Sequence, residues 1–428
     1  MLNGEFPKNV LVIGWVWPEP KASAAGDHML SILQLLKAQG CQITFASPAQ
    51  KTDLSAPLES IGVHCQAIEV NDASFDAFLQ QLNPDLVVFD RYMMEEQFGW
   101  RVEKVCPDAI RVLDTEDLHS LREYRQQQAK AGSNNDNTAL SENAQLHSDK
   151  GIREVASIYR CDLSLIISKA EFELLQNTYQ LPQSILHHLP FCLPQAHKSK
   201  VASQETPEFE QRKDFITIGN FRHPPNWDSV LWLKKLWPEI RRQLPGVNLH
   251  IYGAYLPKKA SELHNQKQGF LVHGWVDDAY EVMQQARVCL SPLHFGAGLK
   301  GKLLLAMSAG TPSVTTAVGA ESMTDDQWPG LLAESDNEIA QSAVELYTNK
   351  SAWQSRHELS LMIAQERYGS DQWGQNLVDA IAQISADVDR HRSGNFVGQI
   401  LRHQHHRATQ FMSQWIEAKN KLSKLQDE

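Results

Sequence analysis

The stretch Ala286–Met323, ARVCLSPLHFGAGLKGKLLLAMSAGTPSVTTAVGAESM, constrains the fold more than any other part of the chain. Val288 to Pro292 is a short apolar run ended by proline. Gly296, Gly298 and Gly301 then punctuate a turn, and Lys302 to Ala309 is rich in good helix formers. Gly310 suits the helix C-terminus, Pro312 stops continuation, and Pro312 to Thr316 is β-prone before Gly319 opens another loop. Two strand-to-loop junctions therefore lie close together in an α/β sheet. Small residues there let a ligand approach the backbone, and helix N-terminal amides favour an anion. Lys300 and Lys302 add positive charge at the helix end where the dipole does not need it. The expected occupant is a phosphate.

The run PLHFGAGLKGKLLLAMSAGTPSVTT resembles the nucleotide-sugar site of glycosyltransferase family 4 (group 1), whose members have the GT-B fold of two facing Rossmann-like domains. The resemblance implies that His294, Gly296, Gly298, Leu299, Lys300 and Lys302 lie at the donor. It also shows a departure. The family's acidic pair, two glutamates separated by seven residues, is missing: Leu305 stands in an LAM segment where the second is usual, and Ala297 in the place of the first. Glu321 in the next loop is the substitute acceptor this reading offers.

The length of 428 residues suggests two or three domains, each able to bury a core. Hydrophobic content of 42% and charged content of 21% are ordinary for a soluble globular protein. No apolar run approaches the roughly 20 residues a bilayer span needs. MLNGEFPKNVLVIGWVW enters a strand-like run directly, without the regions of a secretory signal, so a cytoplasmic location is expected. The six cysteines are dispersed, with no CxxC pair, which indicates neither a disulfide framework nor a zinc site. A formal charge of −11 argues against broad nucleic-acid binding.

Val10 to Trp15 reads as a first strand, Ser23-Ala-Ala-Gly26 as a small-residue loop, Asp27 to Gln39 as an amphipathic helix, and Gln42 to Ala46 as the next strand. This βαβ unit lacks the full G-x-G-x-x-G pattern, so a dinucleotide site is not expected. The resemblance places Gly26 across the cleft from the donor phosphates. Asp85 to Phe89 and Ile110 to Leu113 read as strands leading into Asp90-Arg91 and Asp114 to His119, where α/β folds place ligands. LDTEDLHSLREYR resembles the family's acceptor-side segment and puts His119 in the catalytic role. Gln126 to Lys150 is polar and reads as a mobile loop or frayed helical insertion.

Asp162 to Ser168 reads as a strand, and the following SKAE approaches the domain junction in the resembled family. The polar Gln195 to Lys213 reads as an interdomain linker. GNFRHPPNWDSVLWL is similar to the start of the donor domain, with Asn220 and Asn226 where many members carry a phosphate-holding arginine and lysine, and Arg222 nearby. Ser370 to Ile384 is expected to cross back to the first domain. Asp387 to Glu428 forms a helical tail whose His403, His405 and His406 read as a solvated face rather than a metal site.

These readings combine into an α/β chain with two Rossmann-like domains facing a cleft and a helical C-terminal extension. The acceptor-side domain spans 1–197, the donor domain 198–370, and the crossover helix and tail 371–428. The implied activity is transfer of a sugar from a nucleotide-sugar donor to a carbohydrate, lipid-linked or protein acceptor, with retention, no metal and no cofactor. The competing expectation is a weakened or inactive GT-B scaffold used for binding or assembly. A third is an epimerase or phosphorylase on the same fold, the phosphorylase disfavoured because no pyridoxal-binding pattern is apparent.

Overall fold

The computed structural model describes residues 6–133, 148–203 and 206–427. The chain first builds seven parallel strands: β1 (Asn9–Ile13), β2 (Gln42–Ser47), β3 (His64–Ala67), β4 (Leu86–Asp90), β5 (Ile110–Asp114), β6 (Leu163–Ile166) and β7 (Leu186–His188). A second sheet follows with β8 (Lys213–Ile218), β9 (Leu249–Tyr252), β10 (Phe270–Gly274), β11 (Ala286–Ser291), β12 (Ser313–Thr315) and β13 (Gly330–Leu332). The orders are β3-β2-β1-β4-β5-β6-β7 and β10-β9-β8-β11-β12-β13. Both orders reverse direction between the sheet's first strand and a later one: β1 pairs with β4, and β8 with β11. A crevice opens at the C-terminal ends of the strands at such a reversal.

The central strands are apolar without alternation because helices cover both faces of each sheet. Val10 to Ile13, Leu86 to Phe89 and Phe215 to Ile216 are buried accordingly. Ser23 caps the helix Ala24–Ala38 by accepting the Gly26 amide at 3.1 Å. The expected small-residue loop is therefore the first helical turn.

The chain passes between the two sheets twice, and the passages touch. Leu193 N–H donates to the Tyr368 carbonyl at 2.9 Å, where a π-helical segment, Ala364–Tyr368, ends. The helix Gln372–Ala386 then lies on the first sheet, with Leu377, Ile381 and Ile384 packed in one cluster with Val10, Val12 and Leu33. This is the return crossing the sequence suggested. The final helix, Phe396–Asp427, packs along Tyr92–Val105 and Asp149–Arg160 of the first half.

Three local details add to the expectations, the second by taking the helical one of the two alternatives. The polar linker contains the helix Gln195–Ser203, anchored by buried Val201. Gln126 to Ser133 continues the helix that starts at His119, while residues 134–147 of the expected insertion lie outside the described residues. Strands β3 and β7 were not anticipated, because HCQA and LHH are short, polar-mixed edge strands with no readable period. Among the described residues no helix is long and apolar enough to cross a membrane. His403 is exposed, the side chains of His405 and His406 lie outside the described residues, and no metal-type cluster among the described residues includes the tail.

Candidate active site

The two sheets face each other across a cleft of about 970 Å³, walled by the loops after β1, β4, β5, β8 and β11. On the second-half wall, the loop after β11 is pinned from beneath by β12. Thr315 Oγ1 donates to the Ser291 carbonyl at 2.6 Å, and Thr316 Oγ1 to the Leu293 carbonyl at 2.7 Å. Gly298 has φ +61°, and a Cβ there would stand 2.8 Å from Asp117 Cβ of the opposite wall. Only glycine meets both conditions. Its carbonyl accepts Lys300 Nζ at 2.7 Å.

The helix Gly301–Ser308 starts at this loop, and the residues of its first two positions, Gly301 and Lys302, line the cleft. Lys302, half-buried in its first turn, has no carboxylate partner among the described residues, and burial lowers its ammonium to about 8. Burial also lowers Lys300, opposed by the charges of Glu321 and Glu171. Two ammonium groups are thus held at a helix N-terminus in a partly dry site. At the rim, the Arg222 guanidinium lies 3.6 Å over the Tyr255 ring, and Tyr255 donates its hydroxyl hydrogen to Glu19 Oε2 across the cleft at 2.6 Å.

The first-half wall is dense in charge. Oxygens of Asp90, Asp114 and Glu116 lie within 4.8 Å of one another, all buried. Arg91 donates to both Asp90 oxygens at 3.0 Å. Arg91 and Glu116 hold φ of +71° and +55°, backbone strain concentrated at the ends of β4 and β5. Burial, then Asp114, raises the Glu116 carboxyl, and burial, then Asp90, raises that of Asp114. His28, 3% exposed, stands 3.7 Å from Asp114 and has neither ring nitrogen hydrogen-bonded. Burial lowers its imidazole against the pull of Glu116 and Asp90.

One step along, Asp117 faces Arg122 in a close ion pair and His119 at 3.7 Å. Against the upward push of burial, Arg122, His119 and His223 hold its carboxylate well below the usual range. His119 opens its helix, where Glu154 accepts the His119 and Ser120 amides at 2.6 and 2.9 Å. Its ring meets Tyr92 edge-on, 5.7 Å between centroids. Burial lowers His119 to about 4 despite Asp117, and it lowers His223, from the other wall, to about 4 likewise. Both imidazoles are neutral hydrogen-bonding groups near pH 7.

This paired-sheet arrangement matches known structures over nearly the whole chain. Sucrose-phosphate synthase from Thermosynechococcus elongatus aligns with TM-score 0.65 and 15% identity, over 89% of this chain and 99% of that one. HepE from Anabaena, solved with UDP and glucose, aligns with TM-score 0.63 and 12% identity, over 88% and 99%. WaaG, a glycosyltransferase involved in lipopolysaccharide biosynthesis, aligns with TM-score 0.59 and 15% identity, over 87% and 99%. Residues 212–349 match the family model for group 1 glycosyl transferases. The fold is GT-B. No curated protein sequence matches the chain.

Within this GT-B cleft, Gly26, His119, Asn220, Arg222, Gly296, Leu299, Lys300 and Lys302 all line the cavity, as does Leu305. Three expected residues do not. His294 turns away, stacked 3.7 Å from Trp232 with Nδ1 at 2.7 Å from Asp228, because an indole and a carboxylate outside the cleft satisfy both its face and its edge. Glu321 is held by Arg125 in a two-pronged pair at 2.7 Å, which leaves it outside the lining residues and not placed as a substitute acceptor. Gly298 serves the contact between the halves instead of the cavity wall. Asn220 Oδ1 is occupied by the Arg222 amide at 2.9 Å.

Sequence reasoning passed over His28, Asp117, Arg122 and His223. The last three had a readable signal: Asp117 and Arg122 lie in DTEDLHSLREYR and His223 in GNFRHPPN, each just past a strand end. His28 had none, since it sits inside an amphipathic helix among apolar residues.

Proposed function

We propose that the protein transfers a sugar from a nucleoside diphosphate sugar to an acceptor hydroxyl in the cleft, retaining the anomeric configuration and using side-chain cations in place of a metal. The observation that carries this reading is Lys302, an ammonium with no acidic partner among the described residues, at the amide end of a helix entered by a glycine loop. In the reaction the bond from the anomeric carbon to the diphosphate oxygen breaks, and one to the acceptor oxygen forms. Charge grows on the departing diphosphate. We assign its stabilisation to Lys300, Lys302 and the amides following Lys300, which line the cleft at a helix N-terminus. For retention the acceptor approaches from the leaving-group face, and its proton passes to the departing oxygen. Neutral His119 lines the same cleft, which supports assigning it the role of orienting that hydroxyl.

The nucleotide to try first is UDP, since HepE of the same fold was solved with it. Calorimetric titration of UDP-, GDP- and ADP-sugars, followed by donor-consumption assays with candidate acceptors, tests the proposal. Binding of one donor class with slow hydrolysis in water supports it, and no binding in the whole panel rejects it. One feature favours a second reading, a binding scaffold: apolar Leu305 lines the cleft and Glu321 is paired with Arg125, so no carboxylate of this helix or the next loop lines the cleft. Donor binding without turnover on any acceptor would favour the scaffold.

A further inference from the structure

The C-terminal helix Phe396–Asp427 is amphipathic the wrong way round. Its buried positions are polar or small: Gly398 abuts Tyr159, Arg402 donates to the Arg160 carbonyl at 3.2 Å, and Ser413, 1% exposed, accepts from Arg101. Its outward side carries apolar and aromatic residues among polar ones. Phe411, Trp415 and Leu422 are 66%, 61% and 62% exposed, and Val397, Ile400 and Met412 join them. A soluble surface does not ordinarily carry such a stripe without a partner.

The spacing of the stripe and the charge around it select the partner. Ile400, Phe411 and Leu422 are separated by 11 residues each, as are Val397 and Ala408. Eleven residues make three nearly whole turns, so the stripe runs straight along the helix for roughly 33 Å and does not wind as a left-handed heptad seam would. A straight stripe fits a plane better than a coiled partner helix. Within the helix, Arg402, Arg407, Lys419, Lys421 and Lys424 stand against Glu417 and Asp427, in a chain whose net charge is −11. Lys419 and Lys421 are exposed beside the stripe, the first with its ammonium 5.5 Å from the Trp415 ring centre and the second in a surface ion pair with Glu417 at 2.8 Å that an anionic surface would have to displace. Aromatic and aliphatic groups flanked by cations are the composition of a helix lying in the head-group region of an anionic bilayer.

We infer that this helix docks the protein on an anionic phospholipid surface, with Phe411, Trp415 and Leu422 inserted and Lys419 and Lys421 at the head groups. The helix packs on the first half, whose Trp15 lines both the cleft and a shallow pocket bordered by Thr409 on the protein-facing side of the helix. The inference does not rest on the sugar-transfer reading.

The test is co-sedimentation of the full chain with vesicles of phosphatidylcholine alone and of phosphatidylcholine mixed with phosphatidylglycerol, beside light scattering of the lipid-free protein. The expected result is pelleting with the phosphatidylglycerol vesicles that salt weakens. The F411S/W415S variant should reduce it at least about tenfold with an unchanged melting temperature, because both side chains are solvent-exposed. K419E/K421E should weaken it on the anionic vesicles. Absence of pelleting with anionic vesicles, or equal pelleting by F411S/W415S, overturns the inference. So does a wild-type dimer that F411S/W415S converts to monomer without any vesicle binding, which would assign the face to a second copy of the chain.

Discussion

Glu171 Oε1 accepts the Gly298 amide from the opposite half at 2.8 Å and the Leu118 amide from its own half at 3.1 Å. One buried oxygen thereby joins the glycine loop to the strand end that carries His119. Ser322 repeats the join, with its hydroxyl 3.1 Å from that of Ser168 and accepting the Ala170 amide at 2.9 Å. The closed position of the two halves depends on these contacts and on the Arg125–Glu321 pair.

Glu171→Ala should therefore loosen closure more than it perturbs either half. Removing the carboxylate leaves two buried amides unpaired, at about 1–3 kcal/mol each if water does not enter. Glu171→Gln keeps one acceptor oxygen and should cost less. Small-angle scattering with denaturant unfolding reads this, with the alanine variant expanded and the glutamine variant near wild type. Equal compactness of Glu171→Ala and wild type would show that the contact does not hold the halves together.

Lys302→Ala should weaken nucleotide-sugar binding by roughly 10- to 150-fold, the range of a charged hydrogen bond worth about 1.5–3 kcal/mol. The protonated ammonium is the binding form. Since burial lowers it to about 8 in the free protein, wild-type affinity should decline as pH rises past that value. The decline should be shallower in the variant, and calorimetry across the alkaline range measures both slopes. Lys300→Ala should weaken binding too, with added disturbance of the loop, because Lys300 Nζ also braces the Gly298 carbonyl.

His119 and His223 give an acid-side signature. Both are lowered from an ordinary 6.5 to about 4 in the folded protein, principally by burial. A depressed folded value means that the neutral form is favoured by folding. The stabilisation is complete above about pH 6.5 and is lost as pH falls towards about 4, at up to roughly 3 kcal/mol per residue. Denaturant midpoints across that window should fall for wild type and fall less for His119→Gln and His223→Gln. His119→Gln should also slow turnover by about a hundredfold while sparing donor affinity, as expected of a group that meets the acceptor.

The chain disclosed its frame where period and punctuation are strong. The strand end, glycine loop and helix around Gly296 to Ala309 fall within one residue of their observed limits, because proline and glycine end each element sharply, while the strand begins two residues before the apolar run that announced it. The SKAE segment also meets the opposite half where the resemblance implied. Side-chain direction was less legible. His294 and Glu321 sit in the right loops, yet partners distant in sequence, Trp232 with Asp228 and Arg125, draw them off the cavity. His28 reads as a core position until β5 brings Asp114 beside it. The inverted polarity of the last helix becomes visible only once Arg101 and Arg160 are placed beneath it.

Leu305 is where this chain differs most sharply from the family it resembles, and the cleft makes the difference testable. Leu305 lines the cavity from the helix that Lys302 enters and packs partly against the Ile216–Met283–Ala306 cluster. An apolar side chain cannot accept hydrogen bonds from two ribose hydroxyls, and Glu321, drawn to Arg125, is not among the residues lining the cleft. Leu305→Glu should restore that acceptor and tighten nucleotide-sugar binding by about 1.5–3 kcal/mol, near 10- to 150-fold. The new carboxylate lies three residues from Lys302 on the same helical face, so part of the gain is offset by an ion pair competing with the phosphate. The pair should also raise the Lys302 ammonium, moving the alkaline decline in affinity to higher pH. Tight wild-type binding that is lost in Leu305→Glu would mean the pocket packs its ligand directly on the leucine, and the ribose would have to be placed elsewhere in the cleft.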